Sequence, residues 1–248
     1  MMHRFRVKFV MPLLALLTVS AQAFTLPADS RQLVLGLADR WSSSNLTLQL
    51  FEQQAGRWVA VSDPIPARGG RDGLAWGRGL HPLTMTGEIK QEGDWKTPCG
   101  VFTIGGAYGY AADRDVHRRA NLPYHRIVAG DLWVEDARSP KYNQFIALGR
   151  PADSDWERRQ QMRLNDPAHS LKLFIAHNAP PTVSAGAGSA IFFHIWRAGG
   201  EPPTAGCTAL ARDRLTQLIA WIDPAQKPLY VLLPKDVYAK VRAEWRLP

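Results

Sequence analysis

His194 and Cys207, thirteen positions apart, are the residue types most able to do chemistry together. His194 sits in an apolar, strand-like run, Ile191-Phe-Phe-His-Ile-Trp196. Cys207 closes a Gly/Pro-rich loop that ends just before an amphipathic helix. Acyl transfer by a Cys–His pair needs a rigid base, a thiol on a sharp turn and free backbone N–H groups beside it. Gly206 permits the turn and the close approach of a carbonyl. A helix N-terminus soon after Cys207 favours the thiolate. As base, His194 takes the thiol proton and later returns it to a leaving amine. Local sequence leaves plainer readings open, because an unpaired cysteine is commonly a small core residue. A strand histidine is commonly a hydrogen-bonded core residue.

Other polar residues gather around the pair. His177-Asn178 ends an apolar run, where it could cap the strand, orient His194 or bind a peptide. Arg197 follows His194 closely and could hold a carboxylate or stay solvated. Thr204 could donate to an acyl oxygen or close the loop. The second cysteine, Cys99, reads as a small buried residue, with a Cys99–Cys207 disulfide as the rival. Cys207, His177 and His194 could also be metal ligands, but no zinc spacing such as H-x-x-E-H or C-x-x-C is present. No metal or cofactor is expected.

The elements that must position these residues follow from pattern. Residues 1–23 read as a signal peptide. Arg4, Arg6 and Lys8 precede an apolar run from Val10 to Val19, and Ala21-Gln-Ala23 is a small-x-small cleavage site. That run is short for a membrane span, so export to the periplasm without a stable membrane anchor is expected. The 248 residues carry a net charge of +8, and loss of the leader lowers it to +5. This suits an anionic cell-wall polymer, while the lack of a Lys/Arg tract argues against nucleic acid. Strands are expected over 32–37, 46–51, 57–61, 97–104, 171–176, 189–196 and 229–233. Residues 63–83 should be loop with one short strand, and 106–143 irregular, anchored by Trp133 and Tyr142. Helices are expected over 155–164 and 211–222. Residues 24–248 therefore read as one domain, mainly β, a sandwich or partly closed barrel with one or two packed helices.

The chain also resembles the YkuD-type L,D-transpeptidases, which remodel peptidoglycan through a cysteine acyl-enzyme. Their signature is a His-containing strand, a loop, then Ser/Thr-His-Gly-Cys, matched here by His194 and Thr204-Ala205-Gly206-Cys207. Further pieces fit: Gly93-Asp94, Thr97-Pro98-x-Gly100-x-Phe102, Tyr142-Asn143, His177-Asn178 and Gly188-Ser189-Ala190-Ile191-Phe192. The likeness spans residues 33–234. It implies that Cys207 is the nucleophile, His194 the base and peptidoglycan stem peptides the substrate, with D-Ala released and a cross-link formed. The same site run with water is an L,D-carboxypeptidase, and a non-catalytic wall-binding module is the alternative of another class. Two residues depart from the pattern: Ala205 stands where many members have a second histidine, and Ala209 where many have Arg or Asn.

Overall fold

A computed structural model describes residues 24–83, 86–110, 121–163 and 165–248. The leader at 1–23 lies outside the described residues, as does part of the irregular stretch. Among the described residues no helix is long and apolar enough to cross a membrane.

The chain opens with three antiparallel neighbours, β1 (Gln32–Ala38), β2 (Asn45–Gln54) and β3 (Arg57–Ala60). In β2 the alternation is plain: Leu46, Leu48 and Leu50 are buried while Thr47 and Gln49 are not. β1 is buried along nearly its whole length. Two short strands, β4 (Ile65–Arg68) and β5 (Leu74–Trp76), lie where one was expected. The long β6 (Thr97–Gly109) pairs in turn with β5, β13 and β10. It passes His81 at Gly100, whose φ of 131° suits glycine and where a Cβ would fall 1.9 Å from the His81 ring.

The stretch expected to be irregular holds β7 (Tyr124–Arg126) and β8 (Asp131–Trp133), and β9 (Phe145–Ala147) pairs with β8. Helix α1 is shorter than expected, Asp155–Arg159. It is closed by a Ser154/Glu157 capping box. β10 (Leu171–Ile175) and β11 (Phe192–Ile195) follow, then β12 (Thr208–Leu210), which was not foreseen. Helix α2 (Arg212–Trp221) turns Leu215, Leu218 and Ile219 inward. β13 (Leu229–Pro234) and α3 (Lys235–Val241), a further helix, complete the chain.

Eight strands close on themselves in the order β1-β13-β6-β10-β11-β12-β4-β2, with β2 returning to β1. The mainly β expectation holds, and the ring is closed. Closure pairs every edge, which leaves no strand of the ring open to association. A large apolar cluster built from all sides of the ring forms the main core. A second, smaller cluster groups Ile127, Trp133, Met162 and Phe192, with Tyr108, Phe145, Phe174 and Cys207 packed against it.

Candidate active site

Two parallel strands assemble the site. β11 and β12 pair with Phe193 opposite Thr208 and His194 opposite Ala209. This register sets Cys207 beside Phe192, and the Phe192 N–H points at its Sγ, 3.4 Å away. Alternation then puts Phe192, His194 and Cys207 on one face, toward the aromatic cluster, while Phe193 and Ile195 enter the main core. Strand spacing and rise separate the His194 and Cys207 Cα atoms by about 8 Å, within reach of an imidazole and a thiol. Ala209, opposite His194, adds no bulk beside the ring.

One expectation is corrected here. The thiol does not stand at a helix N-terminus, because β12 intervenes before α2 begins at Arg212. The helix dipole, which fades within its first turn, cannot be what activates it.

The local bonding is specific. His194, 4% exposed, donates from Nδ1 to the Ile195 carbonyl at 2.8 Å. A carbonyl only accepts, so the proton sits on Nδ1 and Nε2 keeps its lone pair. The ring stacks on His169, with centroids 5.0 Å apart. Cys207 is half-buried and donates to the Ala190 carbonyl at 3.4 Å. Burial pushes its thiol up to about 11, partly offset by the Phe192 N–H and then Lys172. Burial also lowers His194 to about 4, against the Ile195 hydrogen bond. Both shifts favour the neutral pair at rest.

The other expected residues are mostly committed to the chain itself. Thr204 Oγ1 donates to the Cys207 carbonyl at 2.6 Å and accepts the Gly206 N–H at 3.0 Å. It closes the loop and takes Gly206 out of the set of free donors. The N–H of Cys207 makes no hydrogen bond among the described residues. Gly206 has φ 145°, and a Cβ there would sit 3.0 Å from the Lys96 carbonyl.

His177 is fully buried. Its Nδ1 accepts from the Arg78 N–H at 3.0 Å and its Nε2 donates to the Ala187 carbonyl at 2.9 Å. With both nitrogens engaged, it presents none to a peptide or a metal. Asn178 binds Ser184 and Gly188 in the same way. These two residues cap and staple the loop that follows β10. Arg197 lies past the end of β11 and lines a small cavity with His194, Pro203, Thr204 and Ala209. Its guanidinium pairs with Asp166.

Cys99 is fully buried and free, and Cys207 is free. They belong to different clusters, so the disulfide alternative is not what the fold builds.

Sequence reasoning gave no role to three residues here. Asn143 accepts from Trp133 Nε1 and the Ala190 N–H, and donates to the carbonyls of His177 and Asn178. It thereby anchors Ala190, whose carbonyl accepts from the Cys207 thiol. His169 stacks on His194. Lys172 stands opposite His194 across the β10–β11 pair. A lysine inside the apolar run Leu171-Lys-Leu-Phe-Ile175 was the available signal.

The family model of the YkuD L,D-transpeptidase catalytic domain matches residues 68–231, which include the whole β10–β12 assembly. The chain belongs to the L,D-transpeptidase catalytic domain family. Among solved structures it is similar to the helical cell shape determining protein Pgp2 from Campylobacter jejuni. The identity is 14% over 84% of this chain and 49% of that chain, with a TM-score of 0.37. A substituted form of Pgp2 matches with the same identity and TM-score, over 48% of its chain. This L,D-transpeptidase-family chain thus spans about half the length of those structures. No curated protein matches it.

Proposed function

We propose that the protein is an exported peptidoglycan L,D-transpeptidase with Cys207 as nucleophile and His194 as base. Residues 24–248 would be its catalytic domain, released into the periplasm from the leader at 1–23. One observation carries this reading: the β11–β12 register lays the thiol and the imidazole on one face, with Nε2 of His194 unprotonated.

The thiol turns from the Ala190 carbonyl toward Nε2, which takes its proton. Sγ attacks the carbonyl carbon of the peptide bond after the third residue of a donor stem. The C=O electron pair moves onto oxygen, where the free N–H of Cys207 donates to it. Collapse restores C=O and breaks the C–N bond, and His194 passes its proton to the departing D-Ala amine. A thioester on Cys207 remains. The amine of an acceptor stem attacks it, forms the cross-link and regenerates the thiol. Water in place of that amine gives the L,D-carboxypeptidase reaction. No cofactor enters any step, and the +5 charge of the processed chain suits an anionic wall.

Intact-mass analysis after incubation with a carbapenem tests the assignment. One covalent adduct is expected on the unaltered protein, none on Cys207→Ala and little on His194→Ala. An adduct that persists on Cys207→Ala sinks it. Defined tetrapeptide muropeptides then separate the two reactions, as cross-linked products or trimmed tripeptides.

Ala205 in place of a second histidine favours one rival, a wall-binding module without catalysis. That reading requires sacculus binding that survives Cys207→Ala and muropeptide profiles that no variant changes.

A further inference from the structure

Lys172 is 4% exposed. Its Nζ donates to the Met162 carbonyl at 3.2 Å and lies 5.4 Å from the centre of the Phe192 ring. The backbone N–H of that same Phe192 points at the Cys207 sulfur. Among the described residues no carboxylate pairs with Lys172. An ammonium buried without a counter-ion is costly, and burial brings Lys172 down to about 8, opposed first by Cys207. Of the charged groups acting on the thiol, Lys172 is the strongest. Neither a helix N-terminus nor a histidine at Ala205 is there to do this work.

We propose that Lys172 is the positioning residue for the nucleophile, its ammonium holding the Cys207 thiolate in place while the Phe192 N–H donates to the sulfur. The proposal rests on Cys207 being the nucleophile assigned above. The step moves one proton, from Sγ to Nε2 of His194, and at neutral pH, below its value of about 8, Lys172 keeps its own. Two other charged groups act on the thiol. Lys90, before β6, acts in the same direction as Lys172, while Glu135, after β8, opposes it, with Glu92 acting in turn on Glu135. His194 is acted on by Arg197, Lys172 and Asp166, and carries His169 against its ring.

Alkylation by iodoacetamide at pH 7, where Lys172 keeps its proton, tests this directly on the full-length protein. The sulfur displaces iodide, so the rate reports the thiolate. Cys99 is fully buried, and Cys207→Ala supplies the background. In Lys172→Met the rate at pH 7 should fall roughly tenfold, which corresponds to about one pKa unit of lost support for the thiolate. Lys172→Arg should stay within about threefold of the unaltered protein, since it keeps the charge. A purely structural role would lower the melting temperature and leave the alkylation rate of the folded protein alone. An unchanged rate in folded Lys172→Met, or an inert Cys207 in the unaltered protein, overturns the proposal. Lys172→Gln repeats the measurement if the methionine variant does not fold. If neither uncharged variant folds, Lys172 is a structural residue and the proposal falls. No stem peptide takes part, so alkylation slowed in Lys172→Met without peptide turnover by the unaltered protein would defeat the transpeptidase reading and leave this one standing.

Discussion

Thr204 shows how tightly the Cys207 turn is held. Its hydroxyl is at once donor to the Cys207 carbonyl and acceptor for the Gly206 N–H. Thr204→Val keeps the shape and strands both partners, so a loss of about 1–3 kcal/mol is expected, read as a lower urea midpoint. Acylation should slow with it, because the Cys207 N–H shares that turn. Unchanged acylation in Thr204→Val would separate the hydroxyl from the chemistry. Gly206→Ala tests the backbone instead. Alanine at φ 145° with 3.0 Å to the Lys96 carbonyl costs on the order of 1–3 kcal/mol. Cys207 alkylation should fall although the thiol itself is intact, and alkylation at the unaltered rate would show that the turn tolerates a side chain. Cys207, His194 and Gly206 were legible in the sequence because strand, loop and Gly-Cys are contiguous. Lys172 and His169 were not, because their places beside His194 come from strand pairing and from the turn before β10, which chain order does not reveal.

The element that matters most is the β11–loop–β12 crossover. Sequence suggests a loop running into a helix, yet the three residues after Cys207 join the ring between β11 and β4. So short a strand has too few residues to show alternation, and only the neighbouring strands define it. The loop after β10 is organised by Asn143, His177 and Asn178 through buried hydrogen bonds to backbone. His177-Asn178 is visible in sequence as a strand end, but nothing there says that its polar atoms are already spent. Asn143→Ala removes four hydrogen bonds at once, and a loss on the order of 3 kcal/mol is expected. Hydrogen exchange should rise over residues 178–190 and at Trp133. Protection equal to that of the unaltered protein would mean that the loop is held by packing alone.

At the scale of the whole molecule, four histidines are held neutral by burial: His81 and His194 at about 4, His169 and His177 at about 3. Their folded values lie below the unfolded one near 6.5, so the unfolded chain binds protons first. Stability should be level above about pH 6.5 and fall steeply toward pH 4, by several kcal/mol in all. Urea midpoints measured across that range would show it, and a flat profile would mean that the rings are hydrated. The mainly β class, the apolar strands, the Gly-Cys turn and the family likeness are all fixed by local pattern. Side-chain periodicity and turn chemistry are properties of neighbouring residues, so the sequence alone determines them. Ring closure, the order of strands around it, the strand after Cys207 and the lysine across from His194 were decided only in three dimensions. Each depends on contacts between distant segments, and the free energy of those contacts exists only once the ring has closed.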